Sequence, residues 1–367
     1  MPTKGYQQAH CAKLGVHAAL LILLMGTLSA CTAPTSTDAV SACQNEAFAT
    51  FWTLPSSVSG GTRIITGANE SSIPGGDVWL GYDGERDLTS STTWILAAGM
   101  NASGSTLVAM DRRTCRIRTS TTQPRWFQAL TSDGDRVVAT TTQGSKASIV
   151  RMSAGGVVDG EEPLGEALTS QIIVAGDSYI VLAATLDEAP RPKVYMVSRS
   201  NLKLERVIDL GRTNLMVFSG VVDGSTLYYP VTADENGEKD LLGLVDLRTG
   251  EQSEIDLGSR SPFLLRRVGE YLFVGHTSMT PAFAPLDSYR HISRVNVKTR
   301  EVVGLDLDHG IVQLEQLNHS LAVVLMDSSG RPAELREYDP ESLALKRHIL
   351  LPAAKPGEMF GGILPLR

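Results

Sequence analysis

The chain has 367 residues, of which 42% are hydrophobic, so it can bury the core of one large domain or of two ordinary ones. Its formal net charge is −7, and it has no Lys/Arg cluster, which argues against nucleic acid and anionic lipid headgroups as partners. The hydrophobic content also argues against disorder over most of the chain.

Residues 1–30 have the features of a secretion signal. Lys4 and Lys13 supply positive charge, and the apolar run 14–28 that follows is shorter than the roughly 20 residues needed to span a bilayer. The sequence Leu-Ser-Ala-Cys at 28–31 then resembles the lipobox of bacterial lipoproteins. The resemblance implies that Cys31 begins the mature chain and carries acyl chains such as palmitate. It implies a lipid anchor in the cell membrane or the outer membrane, with the protein facing the periplasm or the cell exterior.

Two other cysteines remain in the exported chain, Cys43 and Cys115, because Cys11 lies in the signal and Cys31 takes the lipid. Exported proteins meet an oxidising environment, so two remaining thiols predict one disulfide. The alternative is a pair of unrelated buried cysteines. The polar character of residues 111–119 around Cys115 favours the disulfide.

Residues 31–57 are predicted to be a lipidated tether followed by a short helix. Nothing in 32–39 can build a core, which is typical of a flexible tether. Asp38 can cap a helix that Pro55 would end. Apolar residues fall at helical spacing on one face of it: Val40, Cys43, Ala47, Phe48 and Phe51.

From residue 58 to 367 the pattern is all-β, because short runs rich in Val, Ile, Leu, Thr and Tyr alternate with turn residues. The runs form an internal repeat whose turn-opening residues are 42 to 50 residues apart. Four-stranded propeller blades repeat at roughly this interval, 40 to 50 residues. A more degenerate unit at 63–87 makes seven, so the prediction is a seven-bladed β-propeller, with two β-sandwich domains as the alternative. The turn-opening residues are Asp111, Ser153, Ser198, Asp246, Asn296 and Asp339.

The apolar patterns of the runs favour the propeller. The middle strands of a blade are covered on both faces, so they should be apolar at consecutive positions, as residues 179–184 are. The outer strands meet water on one face and should alternate, as Ile255-Asp256-Leu257 do.

The repeat resembles the broad class of YVTN-repeat and quinoprotein-like propellers, most visibly in Leu-Val-Asp-Leu-Arg-Thr-Gly-Glu at 244–251 and Ile-Asp-Leu-Gly at 255–258. The resemblance implies a fold only. The chain lacks the tryptophan docking motifs of large quinoprotein dehydrogenases and the Gly-His/Trp-Asp signature of WD40 repeats. The cofactor and activities of the class therefore do not carry over.

The sequence assigns no catalytic residue, metal ligand or cofactor. It contains none of the nucleotide-binding, α/β-hydrolase, zinc-protease or Cys-x-x-Cys motifs. The acidic stretch 234–240 could offer oxygens to Ca²⁺, but Asn236-Gly237 favours a hairpin tip, and the turn-opening Asp residues are expected to bind turn amides. The five histidines of the mature chain show no metal-ligand spacing: His276, His291, His309, His319 and His348.

The loop Gly275–His291 is far longer than a hairpin needs, and long loops in a compact β domain are often functional. Its Met279, Phe283 and Tyr289 are the candidate binding residues, against the alternative that the loop only packs on the neighbouring blade. The leading hypothesis is a membrane-anchored binding or scaffolding propeller with a protein, peptide or glycan partner in the cell envelope. The alternatives are a lactonase-like or sugar-acting enzyme with its site at the central channel, and an outer-membrane assembly scaffold.

Overall fold

The computed structural model describes residues 47–53, 61–67, 69–74, 77–79, 92–101, 104–112, 114–122, 126–153, 155–213, 215, 217–276, 290–326 and 331–366. Within these ranges the backbone forms strands, turns and bends, and all of them belong to the unit Ser36–Arg367. The all-β prediction is confirmed.

The described strands form seven four-stranded antiparallel sheets, numbered here along the chain. Sheet 1 combines both ends of the chain: β28 (Met359–Pro365), β1 (Phe48–Thr53), β2 (Gly61–Thr66) and β3 (Asn69–Pro74). Sheet 2 contains β4 (Asp77–Trp79), β5 (Thr92–Asn101), β6 (Gly104–Asp111) and β7 (Ile117–Thr122). Sheet 3 contains β8 (Trp126–Asp133), β9 (Arg136–Gln143), β10 (Lys146–Ser153) and β11 (Val158–Glu166).

The other four sheets also consist of consecutive strands. Sheet 4 contains β12 (Leu168–Ala175), β13 (Ser178–Ala184), β14 (Pro192–Ser198) and β15 (Leu204–Asp209). Sheet 5 contains β16 (Val221–Asp223), β17 (Thr226–Asp234), β18 (Gly237–Asp246) and β19 (Gln252–Asp256). Sheet 6 contains β20 (Pro262–Val268), β21 (Tyr271–His276), β22 (His291–Asn296) and β23 (Val302–Asp306). Sheet 7 contains β24 (Ile311–Leu317), β25 (Ser320–Met326), β26 (Pro332–Tyr338) and β27 (Leu345–Leu350).

The sheets are arranged as a propeller. Neighbouring sheets contact each other through their first strands, β8 with β12, β16 with β20 and β24 with β28 among them, so these strands lie nearest the centre. Antiparallel strands alternate in direction, so the first and third hairpins of each sheet lie at one end, here called the hairpin end. The second hairpin and the connection to the next sheet lie at the opposite end, here called the crossover end.

The burial pattern explains why the repeat folds this way. In β13 every residue after Ser178 is buried, because sheets 3 and 5 cover its two faces. Ile172 and Val181 of sheet 4 pack with Ile149 of sheet 3, and Ile180 and other residues of sheet 4 pack with sheet 5. At the outer edge of sheet 5, Ile255 and Leu257 are buried and Asp256 between them is exposed, as predicted for an outer strand.

The third hairpins confirm the predicted role of the turn-opening residues. The Oδ1 atom of Asp246 accepts hydrogen bonds from the amides of Arg248 and Thr249, each at 2.8 Å. These amides, with the Ser225 hydroxyl, lower the pKa of Asp246 to about 2. Asn296 and Asp339 accept turn amides in the same way. The Asp series therefore stabilises turns.

Strand β28 completes sheet 1 by pairing with β1, in register from Phe48 opposite Pro365 to Thr53 opposite Met359. The Phe51 ring covers Gly361, and a Cβ there would be 2.2 Å from it, so glycine is required at this position. At the crossover end, the Arg63 guanidinium of β2 donates to the Glu358 carboxylate, and both side chains are buried.

The predicted short helix is wrong over its second half, because Phe48–Thr53 is strand β1. Helical spacing and strand alternation both fit a segment this short, and tertiary packing decides between them. Ala49 and Phe51 face the core between sheets 1 and 2, while Trp52 stacks edge-on against Phe360 with ring centroids 5.2 Å apart. Strand β1 thus lies inside the stretch predicted to be tether and helix.

The degenerate unit at 63–87 does not form one sheet. Arg63 lies in β2 of sheet 1, whereas Val78 and Trp79 lie in β4, which opens sheet 2. The third hairpin of sheet 1 is at Gly67, which has a φ of 57°.

Replacing Leu364 with Ala tests how far the fold depends on β28. Leu364 is fully buried beside Phe51, so Leu364→Ala should lower the free energy of unfolding by about 2 to 5 kcal/mol through lost burial and a cavity. Leu350→Ala is the matched control, because Leu350 is 75% exposed and should cost less than about 0.5 kcal/mol. Denaturant titration of both variants measures the difference. Equal, small effects would contradict the closing role of β28.

Candidate functional site

The predicted binding residues Met279, Phe283 and Tyr289 lie outside the described residues, as do Cys31 and Cys43. The structure does describe the two strands that flank the loop. His276 ends β21, and His291 begins β22, and the two residues pair with each other across the strands. This pair lies at the crossover end of sheet 6, so the loop Gly275–His291 starts and finishes there.

A row of three ionisable side chains crosses sheet 6 at this point. The register places His276 opposite His291 and His291 opposite Asp306 of β23. The two imidazole rings meet edge to face, with centroids 5.0 Å apart. His291 Nδ1 donates to Asp306 Oδ1 at 2.7 Å. The ring of His291 lies over Gly304, where a Cβ would come within 2.6 Å of it, so this position needs glycine.

His276 is fully buried and uses both ring nitrogens. Nδ1 lies 2.8 Å from the carbonyl oxygen of Arg260, which can only accept, so Nδ1 carries the proton. Nε2 then accepts from the buried Ser293 hydroxyl at 2.8 Å. Burial, helped by the neighbouring His291, lowers the pKa of His276 to about 4, although the Arg260 carbonyl acts in the opposite direction. His276 is therefore neutral at neutral pH.

A second cluster lies at the crossover end of sheet 7 and in the connection that leads into it. One ligand atom each of Asp308, His309 and Glu334 lies within 4.8 Å of the others. Arg336 occupies the middle of this cluster, since it donates to both carboxylate oxygens of Asp308, at 2.6 and 2.9 Å, and pairs with Glu334 at 2.6 Å. The bonds from Arg336 lower the pKa of Asp308. His348 Nε2 is 2.5 Å from the other Glu334 oxygen.

These two clusters are here called the histidine face, which consists of His276, His291, His309 and His348 with Asp306, Asp308 and Glu334. It contains four of the five histidines of residues 31–367, all at the crossover end of two adjacent sheets. His348 lies on the outer strand β27, and the fifth histidine, His319, lies in the first hairpin of sheet 7. The sequence does not reveal the grouping. No spacing along the sequence indicates it, because His276, His291 and Asp306 meet through the registers of β21, β22 and β23.

The centre of the propeller is bound together by polar side chains. In or beside the first strands, each such side chain forms a hydrogen bond with the main chain of the next sheet, at about the repeat distance along the sequence. These bonds join sheets 3 to 7 and then sheet 1. The pairs are Gln128–Thr169, Gln171–Gly220, Ser219–Leu265, Arg266–Leu314 and Gln313–Ile363.

One buried ion pair belongs to this central series. Arg266 Nη2 donates to Glu315 Oε1 at 3.0 Å, and the two side chains are only 7% and 5% exposed. Gln313 donates to the same carboxylate oxygen at 3.0 Å. A buried pair of this kind requires both partners, because removing one leaves an uncompensated charge. The arrangement holds sheets 6 and 7 together.

At the hairpin end, Asp133 joins sheets 3 and 4. Its carboxylate accepts from the Tyr179 hydroxyl at 2.6 Å and from Arg199 at 2.5 Å. Burial raises the pKa of Asp133, but the bonds from Arg199 and Tyr179 lower it by more. Burial and the same carboxylate raise the pKa of Tyr179 to about 12. The Asp133 carboxylate accepts hydrogen bonds from both Tyr179 and Arg199, which indicates a contact that stabilises the fold.

Cys115 lies in the third hairpin of sheet 2, at the hairpin end, with a φ of 51°. Its side chain is half-buried and packs against the core cluster that includes Ala49 and Phe51 of β1. The chain that leads back toward Cys43 therefore begins beside Cys115.

The acidic stretch 234–240 is the predicted hairpin tip, with Gly237 at a φ of 105°. Asp234 accepts from the amide of Asn236 at 2.8 Å and from Arg212 at 2.9 Å, and Lys239 lies 3.2 Å away. Its carboxylate is thus neutralised by the protein's own cations.

No protein-family model and no curated protein matches the chain. Solved structures resemble it in fold. A candidate 6-phosphogluconolactonase from Bacteroides uniformis aligns over 86% of this chain and 98% of its own, with a TM-score of 0.54 and 13% identity. A chain of the mitotic checkpoint complex aligns over 71% and 75%, with a TM-score of 0.51 and 9% identity. An ACO/RPE65 chimera aligns over 84% and 90%, with a TM-score of 0.51 and 10% identity.

These likenesses show that the chain has a propeller fold and nothing more specific, since propellers carry many unrelated functions. Within the described part of the chain, no helix has the length and apolar character needed to cross a membrane.

The buried His276 predicts an acid-sensitive contribution to stability. A folded pKa of about 4 lies below the ordinary 6.5, so the unfolded chain binds the extra proton between these values and stability falls as pH falls through them. Between pH 7 and pH 4 the loss should be about 3 kcal/mol. His276→Gln should remove this part of the pH dependence.

Urea titrations at both pH values measure the effect in the protein and the variant. His319→Gln is the matched control, because His319 lies exposed in a hairpin and its replacement should leave the pH dependence unchanged. An unchanged pH dependence in His276→Gln would show that His276 does not contribute.

Proposed function

We propose that this protein is a lipid-anchored binding propeller of the bacterial cell envelope, which holds a protein, peptide or glycan partner at its crossover end. The observation that carries this proposal is the position of the histidine face. Its His276 and His291 are the strand ends from which the long loop Gly275–His291 departs. Asp306 is 92% exposed, so it offers a partner the carboxylate oxygen that does not bond to His291.

The membrane anchor in this proposal is the lipid on Cys31, which rests on the lipobox at 28–31. More than one acyl chain on that cysteine would give a lasting attachment. A disulfide between Cys43 and Cys115 would fix the start of the propeller to sheet 2. The position of Cys115 beside the first described residues of the chain supports this pairing.

We also infer that the seven sheets are the blades of one closed ring. Contacts of β24 with β28 and of β2 with β4 support closure on both sides of sheet 1. In such a ring the central polar groups hold sheets together, as Arg266 and Glu315 do. Binding chemistry then belongs to the ends of the ring, where loops can vary without loss of the core.

A second candidate function is that of a propeller enzyme of the lactonase-like or sugar-acting class. The observation that favours it is the convergence of two carboxylates and a histidine in Asp308, His309 and Glu334. Arg336 bonds to both carboxylates, which counts against this candidate because their charge is already compensated. Lactone or sugar-ester hydrolysis by the purified protein that is lost in Glu334→Gln would support the enzyme.

Site-specific photocrosslinking in cells tests the binding proposal. A photoreactive residue at Asp306 should capture one discrete partner, because this exposed position belongs to the histidine face. The same residue at Lys298, which is 71% exposed at the hairpin end, is the matched control and should not capture it. Capture of the same species at both positions, or at neither, would contradict a recognition surface at the crossover end.

The same cells test the anchor separately. Cys31→Ser should move the protein from the membrane fraction to the soluble fraction. A Cys31→Ser protein that stays wholly with the membranes would refute the lipid anchor, whatever the crosslinks show.

A further inference from the structure

The topology points to a defined orientation of this protein on its membrane: we infer that the hairpin end faces the bilayer and that the crossover end faces away from it. This inference rests on the proposed lipid anchor at Cys31. It specifies the kind of partner that fits the histidine face. Such a partner approaches from the compartment beyond the anchoring membrane, not from within that membrane.

The first support is the place where the chain enters the propeller. Strand β1 begins at Phe48, which pairs with Pro365 at the hairpin end. The amide of Leu366 donates to the carbonyl of Ala47 at 2.9 Å, which fixes the entering chain at that end. The residues between Cys31 and Ala47 must therefore reach the propeller from its hairpin side.

The second support is Cys115, which lies at the same end of the neighbouring sheet. It packs against the cluster of Ala49 and Phe51, two and four residues beyond Ala47 along the chain. A disulfide between Cys115 and Cys43 would attach the chain to the hairpin end before β1 begins. Only residues 32–42 would then remain between the lipid and the attachment point.

The length of this segment decides how strongly the orientation is favoured. Eleven residues of this composition have a root-mean-square span of about 17 to 20 Å. A seven-residue strand separates the two ends of a sheet by about 23 Å. To turn the crossover end toward the bilayer, the segment must also run the height of the sheet, about 23 Å, which exceeds its root-mean-square span. That loss of chain entropy favours the hairpin end at the membrane.

Energy transfer from protein to lipid in vesicles tests the orientation. The full lipidated chain carries a fluorescent amino acid either at Lys298, at the hairpin end, or at Asn236, at the crossover end. The vesicles contain phosphatidylethanolamine and phosphatidylglycerol, with a small fraction of acceptor-labelled headgroups. Because the two ends are about 23 Å apart, transfer from position 298 should exceed transfer from position 236 by at least about twofold.

Opening the disulfide tests its part in the orientation. Cys115→Ser extends the free segment to residues 32–46, so the difference between the two positions should shrink. Reduction of the unchanged chain with a phosphine gives the same comparison if the variant does not fold.

The possible results separate the orientation from the proposed function. Equal transfer from the two positions, or greater transfer from position 236, would overturn the orientation while leaving the anchor intact. A chain that does not associate with the vesicles at all would refute the lipid anchor, and the orientation with it. A difference that is unchanged after reduction would overturn the role given to Cys115.

Discussion

The pairing of β28 with β1 is the contact on which the rest of this structure depends. Sheets 2 to 7 consist of consecutive strands, so each can form from a short stretch of chain. Sheet 1 instead joins Phe48 to Pro365, and its formation requires closure of nearly the whole described chain. Loop-closure entropy grows slowly with length, so one such closure is affordable when it completes a buried interface on both sides. The buried Arg63–Glu358 pair reinforces it at the crossover end.

Closure also determines where chemistry can reside in this protein. Side chains such as Gln313, which bonds to both the amide and the carbonyl of Ile363, join adjacent first strands. The polar side chains at the centre therefore stabilise the fold. Most polar groups there bond to one another or to the neighbouring main chain, although Gln171 Oε1 has no hydrogen-bond partner among the described residues. The groups of the histidine face instead bond within sheet 6 or within sheet 7 and its connection. Side chains at these positions can therefore differ from one sheet to the next without loss of the central bonds. Sheets 6 and 7 carry the histidines.

Much of the fold could be predicted from the sequence because its determinants are local. The turn-opening Asp246 marks a third hairpin through bonds within three residues, and the run 179–184 marks a doubly covered strand. The pairing of β1 with β28 in sheet 1 could not be predicted, since no local pattern near Phe48 indicates that it pairs with Pro365. Ala47, Phe48 and Phe51 also fit helical spacing, and pairing of β1 with β2 and β28 is what makes this segment a strand. Only part of the candidate site could be predicted from the sequence. The loop Gly275–His291 is evident from its length, whereas the contact of His291 with Asp306 depends on strand register.

Native-state hydrogen exchange of the β28 amides is the most direct test of closure by this strand. In low concentrations of denaturant, we expect the buried amides of Ile363 and Leu364 to exchange only through global unfolding, with the same free energy as the amides of β13 in sheet 4. Exchange of Ile363 and Leu364 through a local opening of much lower free energy, while β13 stays protected, would show that the ring persists without β28 and would contradict its central role.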